Sequence, residues 1–454
     1  MIMKATDRDH LANLRKIEDE RFLLLHPKSG EFFAKARQSM PAGVPMSWMS
    51  KWPGAYPVFV EEAKGSSFVD VDGNTYVDFC LGDTGSMTGH SPDAIATAIR
   101  EQVGRGMSTM LPSKDASTVS EELAKRFNLP FWQFTVSATD ANRHAIRYAR
   151  LITGKAKVIV IDRCYHGSVD ESFATLDSKG NTVAREGNIG APVDLDVTTR
   201  VVPFNNLPAM KKALANNDVA AILMEPAMTN VGIVLPKDKY LAGVEKLAKE
   251  FGSLLIIDET HTISVGPGGM TAQLSLAPDF LTIGKAIGGG FPTGAFGMTS
   301  SIADSIKKLV DLEVIDTGGI GGTLAANVLS LAAMKATLTK VLTKENFDQM
   351  IKLGNRWADG VEKVINKYEL PWTVNRLGAR AEYMFSEKAP IDGREAADAG
   401  DFELEQYIHL RMLNEGFLIT PFHNMALISP DTTYEDVDSH TAMFEQMCGD
   451  LIGK

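Results

Sequence analysis

Asp279-Phe-Leu-Thr-Ile-Gly-Lys285-Ala-Ile-Gly-Gly-Gly290 sets the reading of this chain, together with Leu254-Leu-Ile-Ile-Asp258-Glu259 ahead of it. Each opens with a short apolar run, and such a run bounded by turn residues reads as a buried strand. Lys285 stands at the end of one run and Asp258 at the end of the other. A lysine at a buried strand end is costly unless it has a use. Burial disfavours the ammonium form and leaves an amine fit for Schiff-base chemistry. Taken alone, Lys285 reads as a loop lysine whose following glycines make a turn. The two stretches together read differently.

A lysine for an aldehyde and a carboxylate for a ring nitrogen are the two protein groups that pyridoxal 5'-phosphate (PLP) chemistry needs. The segment Gly284-Lys285-Ala-Ile-Gly-Gly-Gly290-Phe-Pro292-Thr-Gly-Ala-Phe-Gly297 resembles that of the class III (fold type I) PLP aminotransferases. In that family an Asp-Glu pair ends one strand, and a Gly-Lys-x-x-Gly-Gly-Gly-x-Pro segment carries the Schiff-base lysine. The resemblance is nearest to the branch of glutamate-1-semialdehyde aminomutases and ω-transaminases. It implies that Lys285 and Asp258 are the catalytic pair and that PLP is the cofactor.

Composition sets the frame. The 454 residues are 44% hydrophobic and 23% charged, as in an ordinary globular protein with room for two domains. The net charge of -11 and the lack of a basic cluster argue against nucleic acid. Cys80, Cys164 and Cys448 show no metal spacing and no disulfide framework, which suits a reducing cytoplasm. Lys4 to Arg21 mixes acids and bases without a long apolar run, unlike a signal peptide. No run approaches the length of a membrane span.

The chain order then suggests the fold. Residues 7 to 25 read as an amphipathic helix with Leu11, Leu14, Ile17 and Phe22 on one side. Phe68 to Phe79 alternates around Asp72-Gly73, a hairpin signal. Apolar runs follow at Trp132 to Val136, Lys157 to Ile161, Val219 to Met224, Leu254 to Ile257 and Phe280 to Ile283, with helical stretches between most of them. That rhythm predicts an α/β fold with a mostly parallel central sheet flanked by helices. Two further strands are expected near Trp372 to Asn375 and Glu382 to Phe385. With the resemblance, the expected domains are 96–327, a large PLP-binding domain, and a smaller α+β domain built from 1–95 and 328–454.

Ligands of such sheets sit at the carboxyl ends of strands, and several motifs fall there. Ser137-Ala138-Thr139-Asp140 precedes a helix, whose N–H groups and dipole suit a phosphate, although these residues also make a plain N-cap. The family writes Ser-Gly-Thr/Ser-Glu-Ala at this point, so Ala138 and Asp140 are departures. Tyr165-His166-Gly167 resembles the family's Tyr-His-Gly, whose aromatic ring stacks on the cofactor. Glu225-Pro226 resembles the family's Glu-Pro segment, by which Glu225 would be structural or would support the cofactor face, and Asn230 matches a position near the cofactor in the aminomutase branch. Gly322-Thr323 with Asn327 resembles a segment whose threonine binds the cofactor phosphate of the neighbouring subunit. That implies a homodimer, although Ala326 and Val328 replace the family's glycine and proline. His90, in a Gly-His segment, reads as a structural loop residue. His261 stands where the aminomutase has a Val-x-Thr-Gly-Phe-Arg segment. It would sit over the cofactor or in the core, and the core is the expected place.

Substrate signals are sparser. By the resemblance, the stretch holding Trp48 and Trp52 and the loop with Thr84 enter the active site, although both tryptophans also fit an ordinary core. The C-terminal loop Gly416 to Met425 lacks the arginine that would hold a keto-acid carboxylate. Arg380 remains as a candidate, though it reads more simply as a salt-bridging residue. The resulting expectation is an ω- or amine transaminase, moving an amino group from an amine or non-α-amino acid to a carbonyl acceptor by ping-pong kinetics. The alternative is a glutamate-1-semialdehyde 2,1-aminomutase-like isomerase. A catalytically silent binding protein is opposed by the intact Lys285 and Asp258. A nicotinamide site is opposed by glycines that follow the lysine instead of forming Gly-x-Gly-x-x-Gly.

Overall fold

The computed structural model describes residues 7–453 apart from residues 192, 313 and 316. The chain divides into two compact units.

The larger unit comprises residues 93–348 and 390–398. Its core is a seven-stranded sheet in the order Phe131–Thr135, Gly294–Met298, Phe280–Gly284, Leu254–Asp258, Val219–Met224, Lys157–Ile161, Thr199–Val202. Only Gly294–Met298 runs against its neighbours. Every residue of Val219–Met224 and of Phe280–Gly284 is buried, as expected where helices cover both faces of a parallel sheet. The five apolar runs therefore do form strands. Two strands were not expected. Gly294–Met298 is built largely of small residues and shows no apolar run, and Thr199–Val202 is a short edge strand beginning Thr-Arg.

The helix Ala138–Thr153 lies against Phe280–Gly284 and Gly294–Met298. Its buried stripe includes Ala141, Ala145, Ile146 and Ala149, residues mostly small enough for close approach. Ser137 caps its start and Gly154 ends it in the left-handed region. The helix Val328–Ala336 packs on Asp93–Val103 and Asp115–Phe127 and is almost wholly buried. It belongs to the larger unit for that reason. The chain passes between units after residue 348, not at the expected 327/328 boundary, and it passes again at residues 390–398.

The smaller unit holds two sheets. The expected hairpin forms from Ser67–Asp70 and Thr75–Asp78, with Phe68 opposite Tyr76. Val60–Lys64 and Phe417–Leu418 extend it. Thr373–Leu377, Arg380–Met384 and Met425–Leu427 form the second sheet. The N-terminal helix runs Arg8–Leu25, capped by Asp7. Its inner face is Leu11, Glu18 and Phe22, whereas Ile17 is exposed. The carboxylate of Glu18 can be buried because Arg411 Nη1 donates to it at 2.6 Å and Asn414 Nδ2 at 2.8 Å. His90 bonds Asp78 at 2.8 Å and so has the structural role expected of it.

Among the described residues no helix is long and apolar enough to cross a membrane, and no cluster of potential ligands could hold a metal ion. The three cysteines are free and buried.

Candidate active site

Lys285 follows directly on the buried strand Phe280–Gly284. Its backbone is left-handed, with φ +48, a conformation that costs an L-residue about 1–2 kcal/mol. Strain of this kind tends to collect at functional sites. The half-buried side chain brings Nζ within 2.8 Å of His261 Nε2.

Asp258 ends the neighbouring strand and is 3% exposed. Oδ2 accepts from Asn142 Nδ2 at 2.9 Å and faces His166 Nδ1 at 2.9 Å, and Oδ1 accepts from the Thr260 N–H at 3.0 Å. A carboxylate only accepts, so the Nδ1 proton of His166 lies between them. Asn142 is itself fixed, because Thr282 Oγ1 donates to its Oδ1 at 2.7 Å. Burial alone would push the Asp258 carboxyl up. The hydrogen bonds from His166, Thr260 and Asn142 outweigh it and hold the group below the ordinary carboxylate range. Asp258 is therefore a buried, ionised carboxylate with a fixed orientation.

Ser137, Ala138 and Thr139 open the helix beside these strands. Ser137 Oγ accepts from the Asp140 N–H at 3.3 Å, while Thr139 Oγ1 accepts from Ser168 N–H at 3.2 Å. Gly167 packs so tightly there that a Cβ would lie 2.0 Å from Thr139 Oγ1. A Cβ on Gly284 would come 2.9 Å from the Cβ and N of Ala138. The bare Cα of Gly284 thus makes room for the methyl of Ala138.

These elements enclose a cleft of about 330 Å³. Ser137, Ala138, Thr139, Tyr165, Glu225, Asp258 and Lys285 all line it, with His166, Thr260, His261 and Phe291 to Thr293. Burial pushes Glu225 up to about 7, against hydrogen bonds from Thr229. Tyr165 is 40% exposed and meets Phe173 edge to face.

The remaining candidates are not among the lining residues. Asn230 donates to the Arg163 carbonyl at 2.8 Å and does not line the cleft. Thr323 is exposed on the loop before Val328–Ala336, away from the lining. Ala326 there holds φ +56, which explains why the family pattern has glycine. Trp48, Thr84 and Arg380 belong to the smaller unit. Trp48 is 43% exposed, Thr84 is buried at φ +83, and Arg380, 1% exposed, pairs with Asp83 at 2.8 Å. Arg380 is thus the salt-bridging residue its sequence context suggested.

His261 corrects the expectation of a core histidine. It is half-buried, lines the cleft and bonds the lysine. The carboxylate of Glu259 fixes its turn, accepting from Thr262 Oγ1 at 2.5 Å and from the Met270 and Thr271 N–H groups. The residues around His261 that break the family pattern therefore make a second, self-consistent clamp. Asn142 and His166 were also not singled out. His166 stood inside a quoted motif, but a partner 92 residues away cannot be read from spacing.

Known proteins place this geometry. The family model "Aminotransferase class-III" matches residues 48–447. Glutamate-1-semialdehyde 2,1-aminomutase 2 of Staphylococcus haemolyticus is 31% identical, over 92% of this chain and 98% of its own length. A Pseudomonas aeruginosa protein described as a glutamate-1-semialdehyde-aminomutase is 44% identical with a TM-score of 0.97, covering 99% of this chain and all of that one. Its lysine-to-alanine variant, solved in complex with PMP, matches equally well. An ω-transaminase from Sphaerobacter thermophilus is 26% identical with a TM-score of 0.85, covering 94% and 98%. With a lysine and an ionised aspartate facing one cleft, and a family pattern spanning most of its length, this chain belongs to the class III aminotransferases, the PLP enzymes of fold type I.

Proposed function

We propose that the enzyme moves an amino group within one small molecule, converting an α-amino aldehyde of the glutamate 1-semialdehyde type into the isomeric amino ketone. The observation that carries this reading is the 44% identity, over essentially the whole length, to a Pseudomonas protein described as such an aminomutase.

The residues of the cleft fit the cofactor. A helix N-terminus with the Thr139 hydroxyl suits its phosphate, Asp258 suits a ring N–H, and Lys285 is an amine within the same space. When bound, PLP supplies a reactive aldehyde and a ring that accepts electrons. Asp258, held ionised by three hydrogen bonds, keeps a proton on a partner nitrogen. Lys285 carries protons to and from the substrate carbon and, through its left-handed backbone, points its amine into the cleft. Tyr165 offers an aromatic face at the cleft wall.

Incubation with glutamate 1-semialdehyde, without any second amine or carbonyl compound, tests the reading. Catalytic formation of the isomer, with no net gain or loss of nitrogen by the substrate pool, is the expected outcome. Turnover only when a separate amine and a separate carbonyl acceptor are both present would replace it with the amine or ω-transaminase reading. One observation favours that second reading. The segment after Asp258-Glu259 is Thr260-His261-Thr262, not the Val-x-Thr-Gly-Phe-Arg pattern of the aminomutase.

The working unit proposed here is a homodimer in which the exposed Thr323 reaches the partner's cofactor phosphate. Sedimentation of the holoenzyme should give twice the chain mass. A monomer that is fully active would exclude this arrangement.

A further inference from the structure

We infer that His261 is the proton partner of Lys285. Its imidazole takes a proton from the lysine ammonium to free the amine, and returns it when the amine must act as an acid. This rests on Lys285 being the reactive amine of the cleft.

Three observations carry the inference. First, Nε2 lies 2.8 Å from Nζ, within direct proton-transfer reach, and the gap holds one proton. Second, both groups line the same cleft and are half-buried. A core histidine would have no reason to face the reactive amine. Third, the turn that carries the histidine is held in place. Glu259, with no exposed surface, grips Thr262 Oγ1 and the Met270 and Thr271 N–H groups, and the Ser264 N–H donates to the His261 carbonyl at 3.2 Å. Such support is what a positioned acid or base requires.

The step balances simply. An Nζ–H bond breaks and its electron pair stays on Nζ. The proton joins the Nε2 lone pair of a neutral imidazole whose other proton is on Nδ1. The reverse step restores both groups. The other ionisable groups lining the cleft are Tyr165, His166, Glu225 and Asp258. Asp258 is engaged by His166, Asn142 and Thr260, and Glu225 by Thr229. His261 stands directly on the lysine, at 2.8 Å.

The test uses full-length protein stripped of cofactor, so that neither substrate nor PLP chemistry enters the readout. Lys285 is labelled by formaldehyde and cyanoborohydride near neutral pH, and its peptide is quantified by mass spectrometry against exposed lysines such as Lys344. In His261→Gln, which keeps a polar side chain but takes up no proton, Lys285 should label about tenfold more slowly while Lys344 is unchanged. In His261→Ala, added imidazole should restore the rate. Unchanged Lys285 labelling in His261→Gln would overturn the proposal, as would a loss in His261→Ala that imidazole does not restore. If wild-type Lys285 labels no faster than Lys344, the reactive-lysine reading fails instead, and the two failures are distinct. In the reconstituted enzyme, His261→Gln should lower kcat about 10- to 100-fold with KM little changed.

Discussion

Lys285→Ala is expected to lower turnover by at least about 10³-fold, some 4 kcal/mol of barrier. On the proposed mechanism two functions leave with the side chain: the amine that acts as nucleophile and the group that moves the proton. The fold should be indifferent. Lys285 is half-buried and lines a cleft, so no core packing is lost and no buried charge is orphaned. Alanine inherits the left-handed backbone at φ +48, which is no worse for it than for lysine. The melting temperature of the cofactor-free variant should therefore stay within a few degrees of wild type. Lys285→Arg separates charge from chemistry, because an arginine stays protonated and cannot serve as an amine nucleophile. It should be as inactive as the alanine variant. Small primary amines added to Lys285→Ala should recover part of the proton-transfer step. A variant keeping more than about a tenth of wild-type turnover would remove Lys285 from the mechanism.

Much of the fold was legible because its strands are buried on both faces. Val219–Met224 shows this as an unbroken apolar run, and in Phe280–Gly284 the one polar residue, Thr282, is buried with its hydroxyl on Asn142. Gly294–Met298 escaped notice because its contribution is thinness, not hydrophobicity. The passage between units at 348 was not legible, since it depends on Val328–Ala336 packing against two helices far away in sequence. Glu18 shows the same limit on a smaller scale. A charged residue on the inner face of Arg8–Leu25 is readable only with Arg411 and Asn414 in view.

The candidate site divides along a similar line. Residues placed by a strand end or a helix start, namely Ser137, Ala138, Thr139, Tyr165, Glu225, Asp258 and Lys285, could be singled out from motif and position, and they line one cleft. Residues acting through long-range pairing could not be singled out in that way. Asn142 matters through Thr282 and Asp258, 140 and 116 residues away. His261 was misjudged for a related reason. Its segment departs from the family pattern, and a departure alone does not say whether a side chain turns inward or toward the cleft. Its contact with Lys285 shows that it turns toward the cleft.

Asp258 should show the second large effect, and it should appear in stability as well as in rate. Its carboxylate is the shared acceptor of three buried donors, His166 Nδ1, Asn142 Nδ2 and the Thr260 N–H. Asp258→Ala strands all three, and removing one member of a buried charged pair typically costs about 3–5 kcal/mol. Asp258→Asn is milder. Its single carbonyl oxygen can serve some of these donors, but its NH2 must face another, at about 1–3 kcal/mol for an unsatisfied group. Both variants lack the anion that holds a proton on a partner nitrogen, so kcat should fall about 10²- to 10³-fold even in Asp258→Asn. Acid titration supplies an independent check. The folded-state carboxyl lies below its ordinary value of 3.8, so the folded state binds this proton less readily than the unfolded chain. The contribution of Asp258 is therefore complete above about pH 4 and is lost as pH falls below it. Urea unfolding of the wild type should show that acid-side loss, and Asp258→Asn should show less of it. Equal acid slopes in the two proteins, with turnover of Asp258→Asn within a few-fold of wild type, would mean that the buried carboxylate serves neither the fold nor the chemistry.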